Sequence, residues 1–162
     1  MIGYLSVKSI DGKYLGGILI VNDYGIPVEF KYSEPIVPTR LQQIIYGNSL
    51  EYYLNTEIIS KGLIQKLENR PELLLVEDPM LLFDKNIVMV TLLPQMVNEK
   101  TEGNEAVVNV NNKSIRITFP ENIKVENTLV QKVVELSQKF DIFEPFDRIE
   151  KALEYVCESQ ER

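Results

Sequence analysis

The sequence predicts an α+β fold, and three observations carry that expectation. Strand-like segments cluster in hairpins at the start of the chain, helix-like segments follow as a block, and the strict strand–helix alternation of a doubly wound sheet is missing. The expected architecture is an N-terminal, antiparallel, hairpin-rich sheet with helices on one face, followed by a smaller C-terminal lobe of a β-hairpin and two helices. The boundaries this implies are a main domain over 1–94, a loop over 95–105 and the C-terminal lobe over 106–162, either separate or part of the same domain.

Each element has a local reason. GYLSVKS and YLGGILIVN flank Asp11-Gly12, a hairpin signal because glycine supplies the positive φ that such turns require. The second of these segments is apolar on both faces, as expected of a central strand covered on two sides. Its Gly16-Gly17 pair implies a bulge or close packing under a helix. After Asp23-Tyr24-Gly25 comes PVEFKYSE, where Val28, Phe30 and Tyr32 share one face and Glu29, Lys31 and Ser33 the other, a half-buried strand. Pro35 and Pro38 end it. TRLQQIIYG reads as a short helix, with Pro38 suited to a first turn that needs no amide donor and Gly47 to its C-terminal stop.

Asn48-Ser49 then opens a longer helix, expected over 49–69, in which Leu50, Leu54, Ile58, Leu63 and Leu67 recur on a helical period and Gly62 weakens the run. ELLLVED and IVMVTLLP are apolar strands separated by a short helical turn from Pro79 to Phe83. AVVNV and SIRITF form a hairpin around Asn111-Asn112-Lys113. Two helices finish the chain, ENTLVQKVVELSQKF and the segment after Glu144-Pro145 that carries Ile149, Leu153 and Val156.

Composition excludes several chemistries. The chain of 162 residues has no histidine and one cysteine, Cys157, which rules out histidine-based triads, histidine-ligated metals, cysteine-only zinc sites and internal disulfides. Cys157 is expected to be a packing residue. Any catalysis must rest on carboxylates, Lys, Tyr, Ser, Thr or an oxygen-bound metal such as magnesium. The formal net charge of −7 favours solubility and makes duplex nucleic acid an unlikely partner on this reading, since such binding rests largely on Lys and Arg contacts to phosphate. No signal-peptide pattern opens the chain, and apolar runs such as LGGILIV stop far short of the ~20 residues that span a bilayer, so a reducing cytoplasm and no membrane are expected. No cofactor motif is present: neither a Gly-x-Gly-x-x-Gly run nor a phosphate-loop lysine occurs.

The candidate site is the proline-framed corner over 29–46. Glu29, Lys31, Tyr32, Glu34, Thr39, Arg40, Gln43 and Tyr46 are the residues expected to form a protein- or anion-binding surface there. Arg40 stands out because a cation at a helix start opposes the dipole by about 0.3–1 kcal/mol, which an anion or a partner's carboxylate would reverse. Pairing of Arg40 with Glu34 or Glu29 on the neighbouring strand is the plainer explanation. Tyr32, Tyr46, Tyr52 and Tyr53 are candidate interface anchors. The alternative is a magnesium-dependent phosphodiester or nucleotide hydrolase. It uses Glu29, Lys31, Glu77 and Asp78: Glu29-x-Lys31 with an upstream Asp11 or Asp23 is the minimal metal-nuclease pattern, and separately Glu77-Asp78, at a strand's carboxyl end, can hold magnesium. Self-association through the N-terminal strand, or through Leu153 and Val156, is a third expectation.

The stretch GILIVNDYGIPVEFKYSEPIVPTRLQQIIYGNSLEYYLNTEII resembles part of a bacterial protein family of unknown function, over residues 16 to 76. The likeness rests on Gly25-Ile26-Pro27, Glu29-Phe30, Tyr32, Glu34-Pro35, Pro38-Thr39 and Gln42. The resemblance implies no activity.

Overall fold

The computed structural model describes residues 1–160. Eight strands form one sheet in the order β3-β2-β1-β4-β5-β8-β7-β6. In chain order these are β1 (Ile2–Ile10), β2 (Lys13–Val21), β3 (Pro27–Tyr32), β4 (Leu73–Val76), β5 (Ile87–Leu92), β6 (Lys100–Glu102), β7 (Glu105–Val110) and β8 (Lys113–Thr118). The helices are α1 (Arg40–Tyr46), α2 (Leu50–Tyr52), α3 (Lys61–Gln65), α4 (Asn127–Lys139) and α5 (Glu144–Gln160), and a π-helical segment, Tyr53–Ser60, joins α2 to α3. The α+β class expected from the sequence is the class observed.

β1, β2 and β3 run antiparallel through the predicted turn, in which Asp11 and Gly12 both take positive φ (51° and 77°). β4 then pairs in parallel with β1, and β5 in parallel with β4. The chain therefore leaves β1 toward one edge and returns on its other side. The β7–β8 hairpin turns at Asn111 and Asn112, both at positive φ, and β8 pairs with β5. Residues 106–118 thus continue the main sheet, and residues 95–105 contribute the short edge strand β6.

Helices cover both faces of the sheet, where the sequence suggested one. The reason is that β1, β2 and β4 are apolar on both sides, and each face must be removed from water. On one face Ile2, Tyr4, Leu15, Leu19 and Leu75 pack with Val133 and Leu136 of α4 and Ile149 and Leu153 of α5. On the other, Leu5, Ile18, Ile20, Leu74 and Val76 pack with Ile59 of the π-helical segment and Leu63 of α3. Leu153 is fully buried and β1 is paired on both sides, so the core takes up the two seams from which self-association was expected. Cys157 is buried in the same core.

The glycine pair in β2 permits both contacts. A Cβ at Gly16 would lie 2.5 Å from Ile59 Cγ2, and one at Gly17 would lie 3.1 Å from Ile149 Cγ2 on the opposite face. The expected single helix over 49–69 is instead α2, the π-helical segment and α3. The π-helical register places the polar residues Asn55, Thr56 and Ser60 inside, with Thr56 Oγ1 donating to the Met80 carbonyl at 3.2 Å.

Two glycine substitutions should act in opposite directions. Gly16→Ala forces a methyl against Ile59 and should cost about 1–3 kcal/mol. Gly62→Ala meets no atom within 4 Å and should stabilise by roughly 0.5–1 kcal/mol. Urea unfolding of the two variants checks both signs.

Candidate functional site

The corner is built from the end of β3, the extended segment to Pro38, and α1. Thr39 caps α1: its Oγ1 accepts from Gln42 N at 3.1 Å while Gln42 Oε1 accepts from Thr39 N at 2.8 Å. Gly47, at φ 52°, closes the other end and donates to the Gln43 carbonyl. Arg40 Nη1 donates to Gln43 Oε1 at 3.4 Å, and Gln43 Nε2 reaches the Pro38 carbonyl at 3.4 Å. Tyr46 stacks on Tyr53 with centroids 4.5 Å apart, and its hydrogen bond to Tyr53 raises its pKa. Helix and flanks are thus held by their own contacts.

The polar residues of β3 serve the fold. Glu29, its side chain 8% exposed, accepts from the Glu68 amide, from the Asn69 amide at 2.8 Å and from Asn69 Nδ2 at 3.0 Å, fixing the loop after α3. Those donors, the Glu68 amide foremost, hold its carboxyl below the usual range. Lys31 lies 4.0 Å from Glu29 and 3.8 Å from Glu68. Tyr32 lies on the opposite face of β3, stacked on Phe30 and 46% exposed. Glu34 is exposed between β3 and α1.

The feature that polar-residue reasoning missed is apolar. α1 buries none of its residues, and Val37, Leu41, Ile44 and Ile45 are 65%, 68%, 59% and 72% exposed. The signal was present in TRLQQIIYG, where Leu41, Ile44 and Ile45 fall at i, i+3 and i+4. That spacing reads as a core-facing stripe, yet here it faces water.

A second concavity lies beyond the carboxyl end of β4 and alongside the second half of β1, where the chain reverses its direction of travel across the sheet. In open α/β sheets such crevices receive ligands. Ser6, Lys8, Glu77 and Asp78 line this cleft of about 310 Å³. Asp78 Oδ1 caps the following turn, accepting from Met80 N at 2.9 Å. Glu77 keeps much of its surface in water, but partial burial raises its carboxyl pKa; Lys8 opposes the shift, while Asp147 and Glu150 of α5 add to it. Lys8 Nζ sits 3.9 Å from Glu150.

The structure therefore brings Glu77 and Asp78 together and leaves Glu29 and Lys31 elsewhere. Glu29 pairs with Ile20, which aligns with Gly3 and Leu74, so it is level with the start of β4 and three strands away, roughly 14 Å. Among the described residues no three His, Cys, Asp or Glu side chains converge to hold a metal ion. No helix is long and apolar enough to cross a membrane.

No family model matches the sequence, and no curated protein matches it significantly. Among solved structures, the chain is similar to endonuclease V from Bacillus subtilis, at a TM-score of 0.39 and 15% identity over 85% of this chain and 69% of that one. It is also similar to Marinitoga piezophila Argonaute in complex with a 5′ OH guide RNA, at a TM-score of 0.34 and 13% identity over 81% of this chain. The alignment spans 25% of the Argonaute. The expectation that duplex nucleic acid is an unlikely partner is withdrawn. It rested on net charge, which sums over a whole surface and is silent about any one face.

Two carboxylates should titrate into stability with opposite signs. Glu29 has a folded pKa below its ordinary 4.5, so its contribution is present above that pH and lost as pH falls. Glu29→Gln should thus be less stable than the parent at pH 7, with the gap closing below about pH 4.5. Glu77 has a raised folded pKa, so Glu77→Gln should gain on the parent as pH rises through that range. Urea midpoints measured from pH 3 to 7 check both.

Proposed function

We propose that this chain is a non-catalytic binding module whose partner is another protein seated on α1. One observation carries the reading: a capped helix that contributes nothing to the core holds Leu41, Ile44 and Ile45 in water. Contiguous apolar surface of this kind is costly for a free domain and marks an interaction site. Because the capping box and the Tyr46–Tyr53 stack already order the helix, little conformational entropy is lost on docking.

Charge defines the partner further. Arg40 stands exposed at the start of α1, held among the described residues only by a long contact to Gln43. It sits at the positive end of a helix with no acidic residue in its first turn. A partner that offers an apolar helix or groove with a carboxylate opposite Arg40 satisfies both features. Leu41→Ser/Ile45→Ser should abolish stoichiometric co-purification of such a partner, and Arg40→Glu should weaken it at low salt, both with unchanged melting temperature. Retention of the same proteins by parent and variants would refute the reading.

A second reading is favoured by the position of Glu77 and Asp78, just past the carboxyl end of β4 and beside Lys8 of β1. This cleft is where a magnesium-dependent hydrolase of phosphodiesters or nucleotides would hold its metal, with two of the four residues that chemistry was expected to use. It requires a rise in melting temperature with magnesium or manganese that disappears in Asp78→Ala. Indifference to both ions would dismiss it.

A further inference from the structure

The sheet carries a third concavity far from α1, between β8, β7 and the loop from Leu93 to Lys100, with a volume of about 420 Å³. Its floor is one cross-strand row: Lys100 on β6 aligns with Val107 on β7, Val107 with Arg116 on β8, and Arg116 with Thr91 on β5. Paired residues of adjacent strands project to the same side, so both cations share this face. Arg116 is half-buried between fully buried neighbours, Ile115 and Ile117. Gln95 and Asn98 of the loop also line the cleft, and no carboxylate does among the described residues; Glu102 and Glu105, paired one step further along β6 and β7, are exposed on the same sheet face beyond it.

Arg116 and Lys100 have no ion-pair partner among the described residues. In a chain of net charge −7 this is unusual, because a partly desolvated guanidinium gains from any carboxylate within reach. The neighbouring Glu99 is engaged by the backbone, its Oε2 accepting from Asn109 N at 3.4 Å.

The loop that roofs the cleft is fastened to the sheet. Val97 N donates to Ser114 Oγ at 2.9 Å, Asn109 Nδ2 donates to the Val97 carbonyl at 3.0 Å, and Ser114 Oγ donates to Asn109 Oδ1 at 2.6 Å. Ser114 is 1% exposed, so this network is internal structure and sets the spacing between loop and floor. A cleft lined by a guanidinium, an ammonium and two side-chain amides, with its glutamates outside the lining, is a receptor for an oxyanion.

We propose that this cleft binds a doubly charged phosphate group, with Arg116 and Lys100 as its counter-ions and the Gln95 and Asn98 amides as further donors. Two cations offset the two negative charges of a phosphate dianion, and its tetrahedral oxygens accept from all four groups. A carboxylate brings one charge and two oxygens and satisfies fewer of them. The inference is independent of the reading of α1, since the two surfaces share no residue.

Isothermal titration with inorganic phosphate at constant ionic strength tests it, with acetate as the competing oxyanion. Phosphate should bind saturably, with a dissociation constant on the order of a millimolar as expected of so small a ligand. Arg116→Gln and Lys100→Gln should each weaken it by about tenfold, and Lys113→Gln, outside the cleft, should leave it unchanged. Lys100 is exposed on an edge strand, so its variant reads binding even where Arg116→Gln disturbs the fold. The proposal is overturned by a lack of saturable phosphate binding, by equal affinity for acetate, or by phosphate affinity that survives both substitutions.

Discussion

The close approach of two helical layers to opposite faces of β2 constrains everything else in this structure. Gly16 admits Ile59 from one side and Gly17 admits Ile149 from the other, within one dipeptide. Larger side chains there would hold the layers apart and open voids around Leu5, Ile18 and Leu19, which are buried to 5% exposure or less. With both faces of the sheet's centre occupied, the segment between β3 and α2 has no sheet surface left to cover. α1 accordingly buries none of its residues, and its apolar stripe meets solvent.

The same packing explains why residues that look functional turn out to serve the fold. Glu29 belongs to a solvent-facing strand register, yet its carboxylate satisfies the amides of Glu68 and Asn69, which would otherwise lack partners as the chain leaves α3 for β4. Lys31 follows it into that network. The π-helical segment acts similarly on the other side of β4. Thr56 fastens the Met80 carbonyl, and Met80 belongs to the turn that presents Asp78 to the cleft beyond the end of β4. Side chains several strands apart thus shape the surfaces on which a ligand would sit.

Local features were legible in the sequence because local physics decides them. Asp11-Gly12 had to be a tight turn, since few residue pairs take positive φ twice in succession. The doubly apolar YLGGILIVN had to be central. Gly47 had to stop a short helix, and it is found there at positive φ; the start lies later than a Pro38 first turn implies, at the Thr39 capping box, which leaves Pro38 outside the helix. Nothing local distinguishes the stripe of Leu41, Ile44 and Ile45 from a core face, because periodicity reports a side and not what covers it. The row of Lys100, Val107, Arg116 and Thr91 was equally hidden, for it joins four strands whose register arises only when β8 returns to pair with β5.

What the amino-acid sequence determined unaided was the class of fold, the positions of its turns and caps, and the chemistries closed to a chain with no histidine and one cysteine. Those follow from backbone sterics and from side-chain inventory, which need no knowledge of neighbours. Tertiary structure alone decided which apolar stripe stays in water, which carboxylates are consumed by backbone amides, and which cations lack a counter-charge. Each of these depends on strand order and on the covering of both sheet faces, and long-range pairing fixes those.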